Sequence, residues 1–152
     1  MNRPPEFHID REGTWRYRGS VIGREAMVRL FAGMLRKRGE DYVLQTPEQV
    51  LQVRVDDAPF VIVDFECDAD GGVPRVWMIT SLGERLLLGL EHPLWLRRDT
   101  GRAEVRAYVS MRDGIPALVH RNVFYRLAEM AETDPGSEKA GIRSDGEFFA
   151  LE

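Results

Sequence analysis

The sequence predicts an α+β fold built from two small related lobes. Three observations carry that prediction. Short alternating segments rich in Val, Ile, Trp, Tyr and Phe recur along the 152 residues, as strands require. Only two stretches show helical spacing. And Thr46 stands as far before Pro59 as Thr80 stands before Pro93, with an acid just ahead of each proline: Asp57-Ala58-Pro59-Phe60 against Glu91-His92-Pro93-Leu94. Self-similarity of this kind changes the fold expected, because a duplicated unit builds two cores.

The elements follow in order. Residues 14–18 alternate around Trp15 and Tyr17 as a short strand. Ser20 is then a good helix N-cap, and Met27, Leu30, Phe31, Met34 and Leu35 form one apolar helical stripe that should be buried. Arg36-Lys37-Arg38 suit the negative end of that helix, and Gly39 suits its stop. Strands are predicted over residues 42–46, 51–55 and 60–66. Asp68-Ala69-Asp70-Gly71-Gly72 has no packing surface and marks the boundary, giving an N-terminal lobe 1–72 and a C-terminal lobe 73–152. Residues 75–80 and 85–90 form a hairpin. Residues 94–96 and 103–111 are further strands, joined through Asp99-Thr100-Gly101. Val123, Leu127, Met130 and Ala131 mark a second helix, ended by Thr133-Asp134-Pro135-Gly136. Phe148 and Phe149 dock the C-terminal end as a strand. The two helices align as well, Arg24 with Arg121 and Leu30 with Leu127, so the repeat is expected with its order shuffled.

Composition excludes several functions. Net charge is 21 minus 25, or −4, the wrong sign for a general nucleic-acid binder. A single cysteine, Cys67, permits no intrachain disulfide and suits a reducing cytoplasm. The first residues lack a signal-peptide core, and the longest apolar run is too short to span a bilayer. His8, His92 and His120 have no metal-ligand spacing, so neither a metal nor a cofactor is expected.

Several segments resemble the bacterial family of unknown function DUF1285. They are Gly13-Thr14-Trp15-x-Tyr17-x-Gly19-Ser20, Arg24, Leu30-Phe31-Ala32, Tyr42-x-x-x-Thr46-Pro47 and Val55-Asp56-Asp57-Ala58-Pro59-Phe60. His92-Pro93-Leu94, Tyr108-Val109-x-x-Arg112 and Gly114-x-x-Ala117-Leu118-x-x-Arg121 continue them. Val21, Ser81 and Ala107 depart from the family pattern, which has proline, asparagine and proline there. The resemblance implies two similar α+β lobes and a role in binding or signalling, with no assigned activity.

Arg24 and Arg121 open their helices, where a cation meets the positive end of the dipole. Each should therefore answer an acid, Asp57 and Glu91 being the candidates. The leading expectation is a ligand- or partner-binding regulatory or signalling module, with a site between the lobes near Trp15, Arg24, Asp57, His92 and Arg121. The ligand is an unidentified small molecule or protein. The alternative is a small hydrolase or transferase using His92 as general base with Asp57 or Glu91. A third possibility is a purely structural interaction protein with an exposed apolar patch.

Overall fold

The computed structural model describes residues 5–99, 101 and 104–152. The expected strand start at Ala103 and the Thr100 turn position lie outside them. The chain forms two compact units, Met1–Pro59 and Phe60–Glu152. The division falls at Pro59, whereas the sequence suggested residue 72. Residues 68–72 belong instead to the far end of a long hairpin, where extended backbone needs no packing surface.

The first unit is a six-stranded sheet with one helix. Its strands are β1 (Phe7–Ile9), β2 (Trp15–Tyr17), β3 (Ser20–Val21), β4 (Leu35–Arg38), β5 (Asp41–Gln45) and β6 (Val50–Val55). Helix α1 (Glu25–Met34) connects β3 to β4. Its N-cap is Arg24, which makes no side-chain cap bond; Ser20 lies in β3 instead. The helix stops at Leu35, which turns to extended backbone and pairs with Leu44, where it is fully buried. Burying Leu35 in the sheet outweighs one more helical turn. Arg36, Lys37 and Arg38 therefore lie on edge strand β4, where charge discourages further pairing, and Gly39 turns the β4–β5 hairpin.

The second unit carries β7 (Phe60–Asp70), β8 (Val73–Thr80), β9 (Arg85–Leu87), β10 (Leu94–Asp99), β11 (Glu104–Ser110) and β12 (Pro116–Val119). Helix α2 (Arg121–Glu129) follows, then a three-stranded sheet of β13 (Glu132–Thr133), β14 (Ala140–Ser144) and β15 (Glu147–Ala150). The docking of Phe148 and Phe149 as a strand is thus present.

The two six-stranded sheets have one topology. The first runs β3-β2-β1-β6-β5-β4 and the second β9-β8-β7-β12-β11-β10. Each is two three-stranded antiparallel meanders joined by one parallel pair, β1 with β6 and β7 with β12. The joints match in detail. Phe7 pairs with Val53 and Ile9 with Val55; Phe60 pairs with Ala117 and Ile62 with Val119. Asp56 N–H then donates to Ile9 O and His120 N–H to Ile62 O, both at 3.0 Å.

The repeat therefore keeps its order, and its register differs from the one the prolines suggested. Thr46–Pro59 contains the central strand β6, whereas Thr80–Pro93 contains the edge strand β9. What Thr46 and Thr80 share is local: each donates its N–H across a turn, to Gln49 O or Glu84 O, and accepts from that same residue's N–H on its hydroxyl. The helices are not equivalent either. α1 joins two meanders, while α2 follows a finished sheet.

Candidate functional site

The long hairpin of the second unit lines a cleft. Gly71 and Gly72 both have positive φ, the backbone that a tight hairpin turn requires. A bulge between Ile62 and Asp64 shifts the alternation of β7, re-aiming every side chain beyond it. Asp64, Glu66 and Asp68 then share one face, and an arginine from a different element answers each. Arg126 of α2 reaches Asp64 at 2.9 Å, Arg85 of β9 reaches Glu66 at 3.0 Å, and Arg75 of β8 holds Asp68 through two bonds of 2.8 Å. Trp77 packs under Arg75 and Arg85, its ring centre 5.3 and 4.8 Å from their guanidinium carbons. Its indole N–H donates to Asp68 at 3.2 Å. The bonds from Arg75, and then that from Trp77, hold the Asp68 carboxyl below its ordinary range.

Strand β14 seats against β8. The Val76 N–H donates to the buried Ser144 hydroxyl at 2.8 Å, and Asp145 N–H donates to Pro74 O at 2.9 Å. Between them and the start of β13 opens a cleft of about 220 Å³. Val76, Ile142 and Met130 give it apolar walls, and Arg75 and Arg143 line it beside Asp68 and Glu132. Arg143 is anchored by Asp134 and lies 3.4 Å from Glu132. Carboxylates thus fix both forks in place, which orients their remaining N–H groups. Cys67 also lines the cleft. Partial burial, and then the Asp68 charge, push its thiol up, so it is a poor nucleophile.

Family models place the whole fold. The domain of unknown function (DUF1285), N-terminal domain, matches residues 4–58, and the protein of unknown function (DUF1285), C-terminal domain, matches residues 59–151. The chain belongs to the DUF1285 family. The seam between the two family domains lies one residue from the division between the two units. The chain is similar to the crystal structure of a DUF1285 family protein from Silicibacter pomeroyi, at 37% identity and TM-score 0.87 over 99% of this chain and 84% of that one. It is also similar to a DUF1285 family protein from Shewanella baltica, at 26% identity and TM-score 0.63 over 82% of this chain and 91% of that one. No curated protein matches it.

In this DUF1285 chain the residues expected to form the site take separate structural roles, and none of them lines the cleft. Trp15 is core, its indole N–H donating to Pro59 O at 3.2 Å. Arg24 is exposed and has no carboxylate partner among the described residues. Half-buried Asp57 lies near Tyr42, whose hydroxyl is pushed up by burial and then by the Asp57 charge. His92 Nδ1 donates to Ser110 O at 3.0 Å, and no acid orients the ring among the described residues. Arg121 pairs with Glu104 at 3.2 Å rather than with Glu91. The expected equivalence of the two arginines fails because their helices occupy different places in the repeat.

Sequence reasoning missed the one histidine that meets an acid among the described residues. His8 Nε2–H donates to Asp56 Oδ2 at 2.8 Å, while Arg54 donates to Oδ1 at 3.2 Å. Partial burial works to raise the Asp56 carboxyl, but the His8 bond and the His8 and Arg54 charges outweigh it and hold the carboxyl low. His8 and Arg54 share one carboxylate, which ties β1 to the end of β6. Only the parallel β1–β6 pairing brings these residues together, and nothing in their local sequence signals it.

Proposed function

We propose that this DUF1285 chain is a non-catalytic regulatory module that binds a small ligand in the β8–β14 cleft. One observation carries the reading: two carboxylate-anchored guanidinium groups from different strands border one apolar-walled cleft. Such a site suits a compact ligand with an apolar body and a hydrogen-bond-accepting end. The hydrolase or transferase alternative has less support, since His92 bonds to a backbone carbonyl instead of Asp57 or Glu91. Among the described residues, no group of three His, Cys, Asp or Glu side chains is placed to hold a metal ion. Among the described residues, no helix is long and apolar enough to cross a membrane.

A thermal-shift screen of metabolites tests the proposal. A true ligand raises the melting temperature in proportion to its concentration. Arg143→Gln should abolish that shift while lowering the ligand-free melting temperature only slightly, because Arg143 is 40% exposed in both its ion pairs. A hit that stabilises wild type and Arg143→Gln equally places the site elsewhere and overturns the reading.

A further inference from the structure

The cleft between β8 and β14 is small, and its charges cancel. Its volume of about 220 Å³ lies below the roughly 300–1,000 Å³ of sites for drug-sized ligands. Four charged residues line it, Arg75 and Arg143 against Asp68 and Glu132. Two cations thus meet two carboxylates. Hydrogen bonds from Arg75 hold Asp68 below the ordinary carboxylate range, so it is ionised at neutral pH. The Cys67 thiol, pushed up by burial and then by Asp68, stays uncharged there. Two further acids stand outside the lining and oppose any added negative charge. Asp70 lies 3.8 Å from Arg75, and Asp134 is bonded to Arg143.

Hydrogen-bonding capacity remains on both signs of charge. A guanidinium carries five N–H groups. Arg75 gives Nε and Nη2 to Asp68, and its Nη1, at 3.8 Å from Asp70, is too far for a hydrogen bond. Arg143 gives Nη2 to Asp134 and holds Nε 3.4 Å from Glu132. Each arginine therefore keeps Nη1 for a further acceptor, and Glu132 keeps lone pairs for a further donor. A carboxylate or phosphate entering here would meet arginines already neutralised and acids that repel it. An ammonium would meet acids already neutralised and arginines that repel it. Either would lose hydration to a lining with no net charge to compensate. A neutral amide brings one acceptor and one donor, and its desolvation costs far less.

We infer that the cleft takes an uncharged amide carrying a short apolar chain, and discriminates against carboxylates, phosphates and amines of the same shape. The inference rests on the reading of this cleft as a ligand site and adds the class of ligand. Val76, Ile142 and Met130 take the apolar chain. The amide C=O accepts from an arginine Nη1, and the amide N–H donates to Glu132. Discrimination then comes from the charges an ionised analogue would meet, more than from any contact the amide gains.

Hexanamide, hexanoate and hexylamine share one chain and differ in charge. Each is titrated into the full protein at neutral pH, and the backbone amide resonances of Val76, Gly141 and Ile142 are followed. Hexanamide should bind roughly tenfold or more tightly than either charged analogue, and added salt should barely change its affinity. Glu132→Gln removes one acid from a side chain 62% exposed, where folding is little affected. It should narrow the hexanamide-to-hexanoate ratio by roughly threefold or more at low salt. Hexanoate or hexylamine binding at these resonances as tightly as hexanamide overturns the ligand class and leaves the cleft a binding site. An unchanged ratio in Glu132→Gln overturns the class as well. So does the absence of shifts at these resonances with all three compounds, and the thermal-shift screen with Arg143→Gln then decides the cleft reading separately.

Discussion

The two helices are nearly equal in length and opposite in how they are held. α2 buries Val123 and Leu127 completely. Its N-cap His120 accepts from the Asn122 N–H at 3.1 Å, and Arg126 ties its outer face to Asp64 of β7. α1 has no side-chain cap, fully buries only Ala32, and presents Met27 and Leu30 to solvent. Yet α1 is the more apolar by sequence. Hydrophobicity alone therefore does not place a helix in a core. The sheet offers one surface, and a helix that is apolar over more than half its circumference has a face left over.

That contrast yields its largest test at the cores. Leu127→Ala should destabilise the chain by about 2–5 kcal/mol, the cost of a cavity in a packed site. Leu30→Ala, measured at low concentration, should stay within about 0.5 kcal/mol of wild type. Urea unfolding separates the two. Equal losses would mean that α1 is as deeply packed as α2.

The helix starts give a smaller pair of effects with opposite signs. His120→Ala removes a capping acceptor and should cost about 1 kcal/mol. Arg24→Asp supplies a cap where none exists and replaces a cation at the positive end of the dipole, so it should gain about 1 kcal/mol. A loss on Arg24→Asp would show that the arginine has a role beyond starting the helix.

How far these features were legible depends on their range. The α+β class and both helices followed from spacing within a few residues. The Thr46 and Thr80 turns were equally local, and this misled. A hydroxyl closing a hairpin turn recurs wherever the turn does, so it marks chemistry and not common position. The true register rests on Phe7-His8-Ile9 against Phe60-Val61-Ile62, three-residue stretches too ordinary to stand out as a repeat. The buried stripe on α1 was half right, since periodicity gives the angle between side chains but not which arc meets the sheet. The cleft was not legible. It needs the bulge beside Asp64 and the seating of Ser144 on Val76, and neither has a signature in the chain.

The smallest effect is electrostatic and belongs to α2 alone. The Arg126 bond, then the Phe65 N–H, hold the Asp64 carboxyl below its ordinary value. A carboxyl depressed in the folded state contributes stability that is fully present above its unfolded value, about 3.9, and is lost as pH falls through the lower folded value. Asp64→Asn removes that contribution. Its urea midpoint should therefore sit slightly below wild type near neutrality, and the gap should close as pH drops below about 4. The pair is about half exposed on both sides, so added salt should shrink the gap too. A gap unchanged down to the acid transition would mean that Asp64 acts through packing and the Phe65 turn, with α2 then held by Val123 and Leu127 alone.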